Sequence, residues 1–322
     1  MTRDQSRKSQ VMRFVFCGTP SFAVPTLKAA LRAGHEVLLV VTQPDRRSGR
    51  GMQLLAPPVK ETALAAGLPV VQPEKIKNNL EFRAQLESLA PDVILIVAYG
   101  RIIPKWMLDL PRFGNLNLHA SLLPKYRGAA PIQWAVANGE PVTGATTMRI
   151  DEGLDTGDIL MQREMAIAPD YTSEDIFPLL AEMGAALMVE TLDGLASGTL
   201  APQKQDDSMA TLAPILTRDD GRMDFSRPAM TIYNRWRGFQ PWPGAWTMLD
   251  GKKLIAHRLM PFERGALAES SATPGEVHVE QGRLFVACGE RGWIEIAELQ
   301  LEGKRRMTAA EFLRGHALGD RL

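Results

Sequence analysis

Residues 13–42 read RFVFCGTPSFAVPTLKAALRAGHEVLLVVT, in which two short apolar runs flank a segment with apolar residues at helical spacing. The first run ends in a Gly-Thr-Pro turn, and the helical segment that starts at Ser21 closes on Gly34, a typical helix stop. The second run, VLLVVT, is apolar at every side-chain position but the last, as in strands buried inside a parallel sheet. This unit therefore predicts an α/β fold.

The alternation continues for roughly 120 residues in total. Helices are predicted near 58–66 and 80–89, and strands near 69–72, 92–98 and 114–118. Strands and helices in turn indicate a doubly wound, mostly parallel, Rossmann-like sheet. Ligands bind such sheets at the carboxyl ends of the strands, so functional residues are expected there.

The pattern changes after Ile150. A hairpin-like pair of strands comes first and is followed by a long helix. The next stretch is poor in large apolar residues, and after it come short runs with strand-like alternation. Such runs are typical of a small β-barrel, here interpreted as OB-like. The predicted domains are a catalytic domain over 11–197, a linker over 198–217 and a C-terminal β-barrel-like domain over 218–322.

Composition narrows the class of protein. Of the 322 residues, 45% are hydrophobic and 23% charged, which is ordinary for a soluble globular protein. Lys+Arg and Asp+Glu number 37 each, so no global field attracts a polyanion, although local basic patches are still allowed. No apolar run reaches the length of about 20 residues that a membrane helix needs. The two cysteines lie far apart, which argues against a disulfide scaffold and a zinc site and favours a cytoplasmic protein.

The stretch NLHASLLP at 117–124 carries the most chemical information. Asn117 and His119 are two residues apart at the end of a predicted strand, so their side chains share one face. An amide beside an imidazole can donate hydrogen bonds to a single oxyanion, although an isolated pair of this kind also occurs as a plain strand cap. A carboxylate-rich turn at 151–158, DEGLDTGD, could bring an acid beside His119.

The order of several motifs resembles the methionyl-tRNA formyltransferase family over nearly the whole chain. The motifs are GTPxF, TQPD, VAYG, NxHxSLLPxYRGAAPI, DxGLDTGD and PWPGAW. NxHxSLLP and LDTGD are shared with the wider folate-dependent formyltransferase group, which includes glycinamide ribonucleotide formyltransferase. RGAAPI, TQPD and PWPGAW point more narrowly to the tRNA enzymes.

The resemblance implies transfer of a formyl group from 10-formyltetrahydrofolate, as co-substrate, to the amine of methionyl initiator tRNA by a monomer without a metal. It implies a catalytic set of Asn117, His119 and Asp155, in which Asn117 and protonated His119 stabilise the oxyanion. Asp155 would orient His119 and help to move the amine proton. The loop that contacts folate would consist of Ser121, Leu122, Leu123 and Pro124. Cys17 lies in an apolar strand and is interpreted as a structural thiol rather than a nucleophile.

Two regions are candidates for contact with RNA. Arg46, Arg47 and Arg50 lie in a glycine-containing loop, TQPDRRSGRGMQL at 42–54, which composition alone would make a solvated surface loop. The resemblance implies that this loop meets the end of the tRNA, and that Arg237, within RGFQPWPGA, is a basic contact in the C-terminal domain.

Three further features bear on the expected contacts with RNA. Gln240 and Ile215 stand where the family often has Asn and Lys, which weakens any phosphate contact at position 215. Residues 304–306, KRR, form a further basic run, but such runs are usually solvated faces.

Four alternatives remain open at this point. A dinucleotide-dependent oxidoreductase fits poorly, because Cys17-Gly18-Thr19-Pro20 is not GxGxxG and no acidic residue closes the second strand. A formyltransferase for a nucleotide-sugar amine or for glycinamide ribonucleotide would share the catalytic set, but the ribonucleotide enzyme needs only the first domain. A formyl-folate hydrolase would use water as acceptor. A non-catalytic RNA-binding protein would not need Asn117, His119 and Asp155 together.

Overall fold

The computed structural model describes residues 11–48, 53–262, 272–316 and 318–322. Their contacts divide the chain into two compact units, which are described separately. Unit 1 holds the described residues up to Gly128, together with Val142–Met165 and Phe177–Ala213. Unit 2 holds the described residues of Ala129–Pro141, Ala166–Ile176 and Pro214–Leu322.

The helices and strands follow one another along the chain with short connections. Up to Ala213 the strands are β1 Arg13–Gly18, β2 Glu36–Val41, β3 Arg46–Ser48, β4 Gln53–Leu55, β5 Val70–Val71, β6 Val93–Val97, β7 Asn115–His119, β8 Arg127–Gly128, β9 Val142–Arg149, β10 Ile159–Ala166 and β11 Leu212–Ala213. The helices that begin before residue 200 are α1 Val24–Arg32, α2 Pro58–Ala65, α3 Leu80–Leu89, α4 Lys105–Leu108, α5 Pro131–Ala137 and α6 Ser173–Ala196. The remaining elements are α7 Ala229–Gly238, β12 Ala245–Leu249, β13 Lys252–Phe262, β14 Val277–Glu280, β15 Arg283–Ala287, β16 Trp293–Leu301, β17 Met307–Thr308 and α8 Ala309–Gly315.

The main sheet of the first unit has seven strands in the order β10-β9-β7-β6-β1-β2-β5. Five neighbouring strands run parallel to one another, namely β7, β6, β1, β2 and β5. Strand β9 pairs antiparallel to β7. The strand order reverses between β1 and β6, and sheets of this class bind ligands outside the carboxyl ends of the strands near such a point. These ends lie at Gly18 on β1, Val97 on β6 and His119 on β7.

The central strands are apolar because they are covered on both faces. All five residues of Val93–Val97 are buried, and so is Cys17 on the neighbouring strand. Burial of each large aliphatic side chain stabilises the fold by about 1.5–3 kcal/mol. Burial also raises the pKa of the Cys17 thiol far above its usual range, because a thiolate is poorly solvated there. The interpretation of Cys17 as a structural thiol is consistent with this placement.

The second unit is built around an antiparallel sheet with the strand path β12-β13-β16-β15-β14, to which β17 adds by pairing with β16. Its inward-facing apolar side chains form one core with residues of α7 and α8. Helix α8 begins with a capping box, in which Thr308 and Glu311 each accept a hydrogen bond from the other's backbone amide. The predicted fold class is confirmed as a mostly parallel, doubly wound α/β sheet followed by a smaller β unit.

Two local features differ from the sequence-based expectation. The arginine-containing loop forms a two-stranded antiparallel hairpin, in which Arg46 pairs with Leu55 and Arg47 with Leu54. Within the expected linker 198–217, Gln205 and Ala213 are buried, and β11 pairs in parallel with β8. Polar side chains, backbone pairing and one buried leucine, Leu216, hold this segment, so the low apolar content gave little indication of its packing. The domain boundaries 11–197, 198–217 and 218–322 stay a prediction.

Candidate functional site

Asn117 occupies the middle of β7. It lies between Ile96 on β6 and Met148 on β9 in the sheet register, and its side chain is half-buried. In the part of the chain that the structure describes, no hydrogen bond engages the Asn117 side-chain amide. Its polar hydrogens are therefore available to a ligand at this edge of the sheet.

His119 ends the same strand and is only 5% exposed. Its Nε2 lies 2.8 Å from the carbonyl oxygen of Tyr126. Because a carbonyl oxygen only accepts hydrogen bonds, Nε2 carries a proton, and Nδ1 is the nitrogen that can gain or lose one. Nδ1 lies 3.7 Å from Oδ2 of Asp155. The structure thus brings His119 and Asp155 together, and Asn117 lies two residues earlier on the same face of the strand.

This arrangement differs in one respect from the expected role of His119. Both ring nitrogens point at protein groups, one at the carbonyl of Tyr126 and the other at the carboxylate of Asp155. The geometry suits an imidazole that exchanges a proton with Asp155. A direct contact between His119 and an oxyanion would require the ring to give up one of these partners.

Asp155 is held in an unusual backbone conformation. Its φ of +52° lies in the left-handed region, which costs a non-glycine residue roughly 1–3 kcal/mol and therefore persists only where the surroundings fix it. The carboxylate accepts a hydrogen bond from the Gly128 amide at 2.8 Å, and the carbonyl accepts one from Nε2 of Gln205 at 2.8 Å. These bonds aim the carboxylate of Asp155 at the His119 ring.

The segment Tyr126–Gly128, which includes the short strand β8, contacts both His119 and Asp155. The carbonyl of Tyr126 accepts the bond from His119, and the amide of Gly128 donates to Asp155. Gly128 has a φ of +123°, and a Cβ at this position would lie 2.6 Å from the carbonyl oxygen of Ala213. Only glycine fits here, because both the conformation and the close approach of β11 exclude a side chain.

The predicted folate loop, Ser121–Pro124, is closely packed. Ser121 and Leu123 are buried, and a cis peptide bond joins Leu123 to Pro124. Thr146 bridges the loop, since its hydroxyl donates to the Ser121 carbonyl at 2.6 Å and accepts from the Leu123 amide at 3.2 Å. The side chains of Leu122 and Pro124 are half-buried, so they have more surface for a ligand than Ser121 and Leu123.

The first candidate RNA region is an exposed hairpin arm. Arg46 and Arg47 are exposed on β3, and Leu54 and Leu55 are 66% and 52% exposed on β4. Arg46 also donates to Oε1 of Gln43 at 2.6 Å. Arg50, the third predicted contact, lies outside the described residues. Arg46 therefore shares one face of this two-stranded ladder with Leu55, and Arg47 shares the other face with Leu54.

Polar side chains fix the base of this arm. Lys60 donates to both carboxylate oxygens of Asp45, at 2.9 and 2.7 Å, and Gln72 donates to Asp45 at 2.7 Å. The hydrogen bond from Lys60 and, to a smaller extent, that from Gln72 lower the pKa of the Asp45 carboxyl below its usual range. Gln43 donates to the carbonyl of Tyr99 at 2.8 Å. The start of the arm is thus tied to the loop that follows β6.

Arg237 is placed differently from the sequence-based expectation of a basic RNA contact. It is 4% exposed, and its guanidinium donates to the Tyr171 carbonyl and to Oδ1 of Asn234, each at 2.6 Å. Burial lowers the pKa of Arg237. A guanidinium that is enclosed and bonded in this way holds unit 2 together and does not present its charge to a phosphate. The resemblance implied the RNA contact without information on burial, and a role for Arg237 in binding RNA stays a prediction that this placement does not support.

The two positions that depart from the family pattern and the basic run at 304–306 lie in environments that the structure describes directly. Ile215 is 75% exposed, and Gln240 donates to the Trp236 carbonyl at 3.1 Å. In the basic run, Arg305 pairs with Glu311 at 3.1 Å and Arg306 pairs with Glu298. These two arginines of the run are therefore balanced by neighbouring acids.

Sequence reasoning missed Gln205 as a contributor to the site. It is 6% exposed and lies in the segment interpreted as a linker. Its amide contacts the turn that contains Asp155, 50 positions away in the sequence. A single polar residue with such a distant partner leaves no periodic signal, so no feature of the sequence could have identified it.

Two negative findings apply to the described residues alone. Over 11–48, 53–262, 272–316 and 318–322, no group of three or more His, Cys, Asp or Glu side chains is arranged to hold a metal ion. Among the helices in those same ranges, none combines the length and the apolar character needed to cross a membrane.

Comparison with known proteins identifies both parts of the chain. The profile of the family described as Formyl transferase matches residues 12–192, and that described as Formyl transferase, C-terminal domain, matches residues 215–317. The methionyl-tRNA formyltransferase of Acidobacterium capsulatum is 76% identical over 95% of this chain and 97% of its own length. The enzyme of the same name from Koribacter versatilis is 58% identical over 95% of this chain and 96% of its own length.

Solved structures share the fold at low sequence identity. An N-formyltransferase from Helicobacter canadensis, in complex with folinic acid and dTDP-3-aminofucose, has a TM-score of 0.64 at 18% identity and covers 89% of this chain and 99% of its own. HypX from Aquifex aeolicus, in complex with tetrahydrofolic acid, has a TM-score of 0.61 at 18% identity and covers 94% of this chain and 47% of its own. The two family matches and the close relatives show that this chain belongs to the formyl transferase family and, within it, to the methionyl-tRNA formyltransferases.

Proposed function

We propose that this enzyme transfers the formyl group of 10-formyltetrahydrofolate to the α-amino group of methionyl initiator tRNA. The formyl transferase membership and the relatives named methionyl-tRNA formyltransferase support this reaction. The observation that carries the proposal is the half-buried Asn117 amide, which has no hydrogen-bond partner among the described residues. Asn117 shares strand β7 with His119, and the ring of His119 lies beside the carboxylate of Asp155.

The Asn117 amide supplies the first part of the chemistry. A formyl carbon is electrophilic, and its oxygen takes up negative charge when an amine adds to the carbon. The Asn117 side chain donates a hydrogen bond to that oxygen, and a donor of this kind is worth about 3–4 kcal/mol in the transition state. The fit of the site to the formyl carrier rests on this amide, which is accessible and otherwise unused.

His119 and Asp155 supply the second part, which is movement of a proton. An α-amino group titrates near pH 8, and esterification of the adjacent carboxyl group to the tRNA lowers its pKa further, so a substantial fraction of the attacking amine is neutral and it needs no covalent enzyme adduct. When its nitrogen bonds to the formyl carbon, it must lose one proton, and the departing folate nitrogen must gain one. Asp155 accepts the amine proton directly or through water, Nδ1 of His119, 3.7 Å away, stabilises and shares it, and the same proton then passes to the departing folate nitrogen, which leaves the pair as it began.

The Ser121–Pro124 loop and the β3–β4 arm would hold the two substrates. Leu122 and Pro124 retain partly exposed surface for the folate, while the buried Ser121 and Leu123 keep the loop in shape. Arg46 and Arg47 would contact phosphates near the end of the tRNA, together with Arg50. The proposed domain roles are catalysis over 11–197, connection over 198–217 and tRNA binding over 218–322. The monomeric state and the cytoplasmic location stay predictions.

The test is formyl transfer from 10-formyltetrahydrofolate to methionylated initiator tRNA, followed as acid-stable label on the aminoacyl ester. Uncharged tRNA and a sugar-amine nucleotide serve as acceptor controls. Rapid transfer to the charged tRNA alone is expected. Folate turnover without transfer to RNA would contradict the proposal and would point to water or to another amine as the acceptor.

A further inference from the structure

Gln205 lies where it can determine the shape of the Asp155 turn. Its Nε2 donates to the carbonyl of Asp155 at 2.8 Å and to the carbonyl of Gly157 at 2.7 Å. One side-chain amide therefore bridges the two ends of the tripeptide that begins at Asp155. The φ of Asp155 is +52°, so the backbone there needs such a constraint.

Arg127 fixes the orientation of this amide. Its Nε and Nη2 donate to Oε1 of Gln205 at 3.1 and 2.8 Å, and Nη2 also donates to Asp207 at 2.7 Å. A guanidinium has only donors, so it selects the oxygen of the Gln205 amide and leaves the NH₂ group for the two carbonyls. Arg127 is 7% exposed and Gln205 is 6% exposed, so water does not compete freely for these bonds.

The two residues on either side of Arg127 contact the reacting groups. Arg127 is flanked by Tyr126, whose carbonyl accepts from His119, and by Gly128, whose amide donates to Asp155. The backbone of β8 thus holds the carboxylate of Asp155. The main chain of Asp155 is held by the side chain of Gln205, which is held in turn by the side chain of Arg127. A shift of the turn would move the carboxylate relative to Nδ1 of His119.

We propose that Gln205 is a positioning residue for formyl transfer, which holds the carboxylate of Asp155 in reach of His119 by bridging the carbonyls of Asp155 and Gly157. Arg127 sets the direction of the Gln205 amide. This inference rests on the proposed role of Asp155. It assigns to the segment that precedes β11 a part in catalysis rather than connection alone.

Two substitutions separate positioning from packing. Gln205→Glu keeps the size of the side chain and the contact with Arg127, but it turns an oxygen towards the two carbonyls that the NH₂ group now bonds. Gln205→Met keeps the approximate volume and removes the donors without adding an acceptor. Gln203→Glu is the matched control, because it makes the same change of charge two residues away on an exposed side chain.

The measurements are kcat and KM for charged tRNA, with melting temperatures to confirm folding. If Gln205 positions Asp155, kcat falls in the order wild type, Gln205→Met, Gln205→Glu, with a loss of about 100-fold for the last and little change in KM. Gln203→Glu keeps the wild-type kcat. A Glu variant with wild-type kcat, or one that is more active than the Met variant, would overturn the proposal. If the Glu variant fails to fold, the Met variant decides by itself, since unchanged kcat there overturns the positioning role.

Combination of Gln205→Met with Asp155→Asn distinguishes the positioning role of Gln205 from the catalytic role of Asp155. If Gln205 acts through Asp155, Gln205→Met causes little further loss of kcat in the Asp155→Asn background. An undiminished loss in that background would overturn the positioning role while leaving Asp155 as a catalytic residue. Wild-type kcat in Asp155→Asn alone would instead contradict the proposed function.

Discussion

Nδ1 of His119 and Oδ2 of Asp155 lie 3.7 Å apart, just beyond hydrogen-bond length. Catalytic hydrogen bonds are often long before substrate binds and shorten in the complex. The other ring nitrogen is anchored at 2.8 Å on the Tyr126 carbonyl, which leaves Nδ1 aimed at the carboxylate. The pair is therefore arranged so that a small closure of the Asp155 turn completes the bond.

Replacement of Asn117 by alanine tests the oxyanion donor. We expect kcat to fall by about 10²–10³, because the amide acts on charge that develops only in the transition state. Folding should be unchanged, since no described residue hydrogen-bonds with this amide. Steady-state kinetics and thermal melting measure the two properties separately.

Asn79→Ala is the matched control for that variant. The Asn79 side chain caps helix α3 by accepting from the Phe82 amide at 3.0 Å. Its removal should reduce the free energy of unfolding by about 1 kcal/mol and leave kcat unchanged. The opposite pattern, in which Asn117→Ala lowers stability and spares kcat, would reduce Asn117 to a structural residue.

The His119–Asp155 pair should behave as one functional unit. We expect His119→Ala and Asp155→Asn each to lower kcat by about 10²–10⁴, the range for general acid–base catalysis. Because both changes interrupt the same proton path, the double variant should be little slower than the slower single variant. A double-mutant cycle in single turnover measures this coupling. Fully additive losses would show that the two side chains act independently.

The hairpin arm should contribute to tRNA affinity through charge. The Arg46→Ala, Arg47→Ala double variant is expected to raise the KM for charged tRNA about tenfold, which corresponds to about 1.4 kcal/mol. The slope of log KM against log salt should decrease by about one for each phosphate that these arginines bind in the wild type. The KM for the folate should not change.

A matched removal of two charges controls for the net charge of the protein. Lys28 and Arg32 are exposed on α1, and their double alanine variant should leave the KM for tRNA and its salt dependence as in wild type. If both double variants alter tRNA binding equally, the effect belongs to the overall charge of the protein and not to the arm.

Arg237 should matter for stability and not for RNA. In Arg237→Ala the carbonyl of Tyr171 and the amide oxygen of Asn234 are left without their buried donors, which typically costs on the order of 1–3 kcal/mol. We expect a lower melting temperature with an unchanged salt dependence of the KM for tRNA. A stable variant with weakened, less salt-sensitive tRNA binding would restore Arg237 as a phosphate contact.

The parts of the fold that could be predicted are those with a strong local signal. The runs 13–17, 37–42 and 92–98 are apolar because their strands are covered on both faces, and a strand with this pattern can be identified without knowledge of its neighbours. The spacing of Asn117 and His119 likewise indicated a shared strand face.

The features that escaped prediction depend on partners far away in the sequence. Gln205 bonds the turn at Asp155, and Arg237 bonds the carbonyl of Tyr171, 66 positions away. No periodicity marks such contacts, and an arginine in an RNA-binding family is easily interpreted as a surface charge. The hairpin at Arg46 was missed because its strands are only three residues long, too short to show a period.

The most direct test of the role of Asn117 is single-turnover formyl transfer with wild type and Asn117→Ala, with both substrates saturating. We predict rapid transfer to methionyl initiator tRNA by wild type and a rate about 10²–10³ lower for the variant, with equal binding of both substrates. Equal rates for the two proteins, or transfer to a sugar amine in preference to the charged tRNA, would contradict the proposed reaction and its oxyanion donor.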